Sequence, residues 1–418
     1  MAPVPQEPVS LLLLPALQLP STPASLKSSY RTTFEALLPK LIQPDIQTTS
    51  RLDVAIVLSP SYPVTPSISR TAIFPLIQTL LAQTYSLICS VGALTKVDLD
   101  FPGGLDVRVF ALEPRNDLLS PSIVGKQNLS GPIVDIQTFT SASRPYQTIY
   151  SVEGETAEAH LKTFITAWQS RQGAVAPPVH RLPSGPAVIH PGSTVSPYAD
   201  DGPVEVHKSV AVGGTFDHLH IGHKLLLTAT ILLAEPSPPA SSRDTKPRHI
   251  TIGITGDALL VNKKYGSVVE SWSTRQERAA EFVESILVFH RDSGSIKKTE
   301  YINEPGPNGK VVRVTYGDDI SMTYTEIIDP FGPTITDESI TALVISGETR
   351  AGGKAVNEKR KEKGWKELEV FEVDVLDAGV GLDESEIEDK QEKQSFESKI
   401  SSTEIRRRLQ EAQTSASQ

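Results

Sequence analysis

The sequence predicts an α/β protein of two units, the second a doubly wound parallel sheet. Three observations carry that prediction. Short apolar runs alternate with helical patterns through both halves of the 418-residue chain, the rhythm of strand–helix–strand units. A chain of this length exceeds what one hydrophobic core usually serves. Between the halves, residues 174–207 hold seven prolines and little periodicity, the composition of a linker. The expected division is therefore 1–173, a linker over 174–207, and 208–418.

In the first unit the strand-like runs are "VSLLLLPAL", "RLDVAIVLS", "DVRVFAL" and "GPIVDIQTF". Helical patterns fill Ser25–Ile42 and Ser67–Ser90 between them. "GETAEAHLKTFITAWQSRQG" closes the unit as a helix, with Gly173 placed as its terminator. No short motif groups catalytic residue types here. The second unit begins near Lys208 with the strand "KSVAVGG" and a helix over His223–Ala234. It continues with "RHITIGITG", a helix, "VVRVTYG", "ITALVISG", a helix, "ELEVFEVDVL" and a final helix. "STRQE" offers a capping box at the second of these helices, from Ser273 or Thr274. Arg291–Lys310 reads as a surface excursion and the acidic stretch Asp377–Lys399 as a solvated loop.

Composition narrows the function classes. Forty basic against fifty acidic residues give a formal charge of −10, which argues against general affinity for nucleic acid or an anionic membrane. Any anion site must be local. The single cysteine, Cys89, permits no intrachain disulfide and reads as core filler. The leucines at 11–14 suggest a leader, but no basic residue precedes Lys27 and Glu7 lies in the would-be basic region. No apolar run approaches the roughly 20 residues of a bilayer span, so a cytoplasmic location is expected.

"VAVGGTFDHLHIGHKLLL" places three of the nine histidines within six residues, directly after two glycines. A strand, a tight glycine loop and a helix start make an anion site, since backbone N–H groups and the helix dipole favour phosphate there. His220 and His223 are three apart and can share a helix face if the helix begins that early. His218, His220, His223 and Asp217 could offer metal-ligand atoms, but no second ligand cluster accompanies them, and no metal held by protein side chains is expected. His218 reads as a structural histidine. Leu225, Leu226, Leu227, Ile231, Leu232 and Leu233 read as core.

These residues resemble the "GTFDxxHxGH" signature of the nucleotidylyltransferase superfamily. That resemblance implies a Rossmann-like domain that moves a nucleotidyl group from a nucleoside triphosphate to a phosphate-bearing acceptor. It implies that His220 and His223 approach the triphosphate, with His223 central to transition-state stabilisation. Gly213, Gly214, Thr215 and Phe216 would border the phosphates. The reaction joins two anionic groups, so the site must mainly position them and neutralise charge. Mg²⁺ is the expected companion of ATP.

Downstream, "DPFGPTITDESITALVISGETRAGGKAVNEKRKEKGW" resembles the middle of eukaryotic phosphopantetheine adenylyltransferases, including that domain of bifunctional coenzyme A synthase. The implied acceptor is 4′-phosphopantetheine and the implied product dephospho-coenzyme A. The matching positions are Ser346, Glu348, Thr349, Gly352, Gly353, Asn357 and Arg360, taken as substrate-binding. Arg360 has a second reading as one charge of a wet helix face. "GDALLVNKKYG" resembles the segment whose lysine contacts the phosphates of both substrates; Lys263 matches, and Lys264 is the alternate. "KISSTEIRRRL" resembles the family's "SSTxIR" element, which would bring Ser401, Ser402, Thr403 and Arg406 to the triphosphate, though the same atoms can cap a helix.

The resemblance covers Lys208 to about Leu409. No GxxxxGK[ST] phosphate loop is present, so the monofunctional, fungal-type form is expected. Expected partners are ATP, 4′-phosphopantetheine and further enzymes of the coenzyme A pathway. The alternatives are the same transfer to another acceptor, or a non-catalytic scaffold of that pathway. Removal of residues 1–200 is expected to leave a soluble, competent second domain.

Overall fold

The computed structural model describes residues 7–15, 19–42, 49–58, 68–101, 103–113, 131–142, 144–172, 175–185, 204–236, 247–289, 296–303, 307–374, 376 and 401–416. The first unit runs β1 (Val9–Leu14), α1 (Pro23–Leu41), β2 (Ser50–Val57), α2 (Arg70–Thr95), β3 (Leu105–Glu113), β4 (Ile133–Asp135), α3 (Ile136–Ser141), β5 (Tyr146–Val152), α4 (Glu155–Gln172) and β6 (Val179–Leu182). These strands form one sheet of order β4-β3-β2-β1-β5-β6, with every pairing parallel. The leucine run that could suggest a leader is β1, buried along its whole length. A strand covered on both faces needs an unbroken apolar run rather than alternation.

Three features of this unit differ from the sequence reading. "GPIVDIQTF" splits into β4 and α3, because Asp135 accepts from the Thr138 amide at 2.9 Å and starts a helix. β5, "YQTIYSV", was not read as a strand; its outward residues break the apolar run. β6 lies inside the segment expected to be linker. The chain stays sewn to α1 beyond it, through Gly185 N–H to the Ser29 carbonyl at 3.1 Å and Thr33 Oγ1 to the Pro183 carbonyl at 2.8 Å. Gly173 lies outside the described residues.

The second unit runs β7 (Ser209–Gly214), α5 (Ile221–Leu233), β8 (Arg248–Thr255), α6 (Trp272–Leu287), β9 (Lys297–Ile302), β10 (Val311–Tyr316), β11 (Ile320–Ile327), β12 (Ala342–Ser346), α7 (Arg350–Glu362), β13 (Glu369–Val373) and α8 (Ser402–Ala416). The sheet order is β13-β12-β7-β8-β11-β10-β9. β13, β12, β7, β8 and β11 are mutually parallel, and β9 and β10 add an antiparallel edge. The surface excursion therefore contributes β9, whose exposed, charged "KKTEYI" suits an edge strand. β11 was missed because its polar alternation hides a central strand. α6 is capped by Ser271, which accepts from the Thr274 amide, ahead of both Ser273 and Thr274 from which the sequence reading drew its capping box. The acidic stretch Asp377–Lys399 lies outside the described residues.

The chain builds outward from β7 through β8 to β11, then returns to the other side of β7 with β12 and β13. The crevice at the carboxyl ends of β7 and β12 is thus the topological switch point, where open α/β sheets bind ligands.

The two units share one continuous apolar core. α2 is long and apolar enough, by length and composition, to cross a membrane, contrary to the sequence reading; 72 % of its most apolar window is buried inside the molecule. It packs against α1 on one side and α5 on the other. Arg144 fastens the join a second time. Its guanidinium lies 4.5 Å from the Phe289 ring centroid and 4.9 Å from that of Phe110, and donates to the Ser285 carbonyl near the end of α6. The second unit, which the sequence suggested as a separable domain, thus shares its core and several polar contacts with the first.

Candidate active site

β7 ends in Gly213 and Gly214, and the chain then folds tightly through Thr215, Phe216 and Asp217 into α5. Phe216 and His218 both adopt left-handed backbone, with φ of 51° and 46°. Phe216 is buried, and its ring folds back over β7, where a Cβ on Gly214 would sit 3.0 Å from it. Gly213 faces Ile327 with ordinary room. Arg275, fully buried, holds the turn from beneath by donating to the Thr215 carbonyl at 2.7 Å and to Asp257 Oδ1 at 2.7 Å.

His220 is the residue preceding the first turn of α5, and His223 lies within that turn. Their rings stack with centroids 3.9 Å apart, and Phe216 flanks His223 at 5.3 Å. The helix begins at Ile221, so the two rings meet not on one helix face but with His220 in extended backbone at the cap position. Gly222 leaves room for the stack, since a Cβ there would crowd the His220 ring at 3.2 Å. The Nδ1 atoms of both rings are buried without a hydrogen-bond partner. Such atoms are costly, and they mark places where a function or a missing ligand must be sought. Burial pushes the His223 pKa down to about 4, and burial together with His223 and Lys224 holds His220 well below the usual histidine value. Both rings are neutral at pH 7, each with one N–H to donate. His218 stands apart from them: its Nε2 lies 2.7 Å from the Val268 carbonyl and its amide donates to Glu270. That is the structural histidine the sequence suggested.

The last helix closes on the same turn. Arg406 Nη1 donates to Asp217 Oδ2 at 2.6 Å, Ser402 Oγ to the Asp217 carbonyl at 2.9 Å, and Arg406 Nη2 to Thr403 Oγ1 at 3.1 Å. Ser401 Oγ accepts from the Glu404 amide and caps α8. Of the four residues matched to the phosphate element, Ser402 and Arg406 thus contact the histidine turn, but Arg406 is buried and its charge is matched by Asp217. Lys263 and Lys264 are exposed in the connection that follows β8, the parallel neighbour of β7.

The acceptor-side residues divide. Ser346 ends β12, and Glu348 and Thr349 follow on an exposed turn whose capping box joins Ser346 to Thr349. Gly352 is exposed with open space above it, and Gly353 packs on Ile345. Asn357, taken as substrate-binding, instead exchanges two hydrogen bonds with the Leu368 backbone at 2.8–3.0 Å. Arg360 is a clear correction. It is 1 % exposed, and its guanidinium donates to the carbonyls of Lys366, Thr334, Asp337, Glu338 and Ile340 at 2.8–3.2 Å. All five N–H groups are used, so it clamps the loop that follows "DPFGP" and has none left for a phosphate. Arg350 pairs with Glu372 of β13 at the surface.

Sequence reasoning missed Lys224. It is buried directly beside His223, and its ammonium binds Asp100 and Asp106 of the first unit. A lysine among leucines, at a position the helical pattern assigns to the core, was the available signal.

Residues 1–188 match the family model described as "Domain of unknown function (DUF8446)". The chain is 33% identical over 179 residues to the uncharacterised protein C1F12.08 of Schizosaccharomyces pombe, covering 43% of each chain. It is 31% identical over 211 residues to the phosphopantetheine adenylyltransferase of Saccharomyces cerevisiae, covering 50% of this chain and 52% of the relative. It is 29% identical over 173 residues to the phosphopantetheine adenylyltransferase of Methanothermobacter thermautotrophicus, covering 41% of this chain and 77% of the relative. The chain spans about half the length of the first two of these relatives.

Proposed function

We propose that the chain transfers the adenylyl group of ATP to 4′-phosphopantetheine, giving dephospho-coenzyme A and pyrophosphate. The observation that carries this reading is the placement of two separate motifs at one crevice. The stacked His220–His223 pair stands at the carboxyl end of β7, and the Ser346–Thr349 turn at the carboxyl end of its neighbour β12. The relatives named phosphopantetheine adenylyltransferase support the same acceptor.

In this reading an oxygen of the acceptor's phosphate attacks the α-phosphorus of ATP. The new P–O bond forms as the bond to the bridging α–β oxygen breaks, and pyrophosphate leaves with that electron pair. No covalent enzyme intermediate is needed, and catalysis reduces to positioning and charge stabilisation. Neutral imidazoles suit the task as fixed N–H donors aimed where negative charge grows. Amides after Gly213 and Gly214, with Thr215 and the Ser402–Thr403 start of α8, would cradle phosphate oxygens. Lys263 supplies a mobile point charge, and the β12 turn would face the acceptor. Mg²⁺ belongs to the proposal as companion of the nucleotide; among the described residues no group of three or more His, Cys, Asp or Glu side chains is arranged to hold a metal, and no step is assigned to the ion. A cytoplasmic setting is part of the proposal, supported by the lone buried Cys89.

The test is purified protein with ATP, Mg²⁺ and each candidate acceptor, followed for pyrophosphate. Release with 4′-phosphopantetheine is expected. Release only with another acceptor, or none with any, overturns the assignment in favour of another transfer or a scaffold.

A further inference from the structure

Asp100 lies in the connection from α2 to β3 of the first unit, with left-handed backbone at φ 62°, a conformation Asp tolerates better than most residues. One carboxylate oxygen accepts from the Ile221 amide, the first N–H of α5, and the other takes the Lys224 ammonium. Asp106 takes the same ammonium at 2.7 Å and is itself paired with Arg108 at 2.9 Å. The Asp100 and Lys224 side chains are 2 % and 5 % exposed, so the contact is a permanent fixture of the domain junction rather than a site a ligand could enter.

The local problem this solves is specific. Helices need an acceptor for their first amides, and the residue before the first turn usually supplies one from a Ser, Thr, Asp or Asn side chain. In α5 that position is His220, which makes no side-chain cap. An imidazole committed to the stack cannot also cap. The same first-unit turn reaches the last helix: Asp98 accepts from Arg408 at 2.8 Å, and the Arg408 guanidinium lies 4.2 Å from the Phe101 ring centroid.

We propose that Asp100 is a positioning residue for the His220–His223 pair: it supplies from the first unit the helix cap that α5 lacks, and so holds both rings in register with the phosphate-binding turn. The first unit is by this account a structural part of the reactive centre. The inference rests on the proposed function for its catalytic meaning and on geometry for the rest.

Two full-length double variants isolate the cap. Asp100→Ala with Lys224→Met and Asp100→Asn with Lys224→Met both lack the buried charge pair, but only the asparagine oxygen can accept from the Ile221 amide. The readouts are the imidazole ¹H–¹³C resonances of His220 and His223, and kcat for pyrophosphate release, at a temperature where circular dichroism shows both folded. We expect shifted imidazole resonances in the alanine variant and a kcat at least tenfold below that of the asparagine variant. Equal imidazole spectra, or equal kcat in an active enzyme, overturns the proposal. Should the alanine variant not fold, Ile221→Pro removes the donated amide while leaving Asp100 and Lys224 in place. Proline is favoured at a first helical position, and His220 already has the extended backbone that must precede it. The same resonance shift and kcat loss are expected there, and their absence overturns the proposal. If the wild-type protein does not turn over 4′-phosphopantetheine, the proposed reaction falls while the imidazole comparison still decides the positioning role.

Discussion

Arg406 and Asp217 form a buried ion pair at 2.6 Å between residues 189 positions apart, with side chains 4 % and 0 % exposed. The pair binds the last helix to the turn that carries the histidines. Asp217 also accepts from the Glu270 amide at 2.9 Å, so one carboxylate joins three segments. Removing one partner of such a pair leaves an uncompensated buried charge and costs about 3–5 kcal/mol. Arg406→Met is therefore expected to lower the thermal midpoint clearly and to abolish most activity by releasing α8. A variant with an unchanged melting curve would show that α8 is not held this way.

His223→Ala removes the inner ring of the stack. An N–H donor acting on developing charge is worth on the order of 10²–10³ in kcat, and a loss confined to the transition state lowers kcat and kcat/KM together. The variant is expected to keep its circular dichroism spectrum while losing that much turnover. Normal turnover would remove His223 from the chemistry.

Burial holds the pKa of His223 at about 4 and that of His220 well below its usual value. In the unfolded chain both rings titrate near the ordinary value of about 6.5. Below that pH the unfolded state binds more protons than the native state, so stability falls as pH drops from about 6.5 toward 4. Above about 6.5 the contribution is constant. The paired variant His220→Gln with His223→Gln should show a flatter dependence of thermal midpoint on pH in that window. Because Asp100 and Glu235, both raised mainly by burial, push the slope the other way, the difference between wild type and variant is the measurement. Parallel curves would mean that the rings are solvated.

How much of this was legible in the sequence depended on whether the relevant partner was near in the chain. The histidine turn could be read because glycines, a helix start and an i, i+3 pair are local facts. The β7–β12 crevice could be anticipated because strand–helix alternation constrains topology. Arg360 could not be assigned, because a helical sequence such as "NEKRKEKG" does not reveal which of its charges turns inward to five carbonyls. Asp100 was invisible for the same reason at longer range, since its partners lie 121 and 124 residues away. β6 and β9 were lost to composition: prolines around one and charges along the other concealed short edge strands.

Arg360→Lys tests the clamp directly. Lysine keeps the charge but cannot serve five carbonyls in a plane, and buried acceptors left unpaired cost about 1–3 kcal/mol each. A loss on the order of 3 kcal/mol in denaturant unfolding is expected, with KM for 4′-phosphopantetheine unchanged at temperatures where the variant is folded. An unaltered unfolding midpoint with a raised KM would return Arg360 to the substrate site.

The last prediction concerns residues 204–418 expressed alone. Sequence reading makes the chain without residues 1–200 a free-standing enzyme, since its motifs are complete, and 204 is the first described residue of that piece. In the folded chain, however, α5 meets α2 of the first unit, Lys224 neutralises two first-unit carboxylates, and Phe289 packs on Phe110 and Phe139 at 5.7 and 5.5 Å. Cutting at 204 would leave a lysine unpaired in an apolar face and return a continuous core to water, a large fraction of the 5–15 kcal/mol that holds an ordinary domain together. The fragment is expected to be insoluble or molten, with little near-ultraviolet circular dichroism and no pyrophosphate release. Co-expression with residues 1–203 as a separate chain should restore a soluble complex, because the interface itself is unbroken. A monomeric, cooperatively folding and active 204–418 fragment would show that the first unit neither stabilises the second nor positions its histidines.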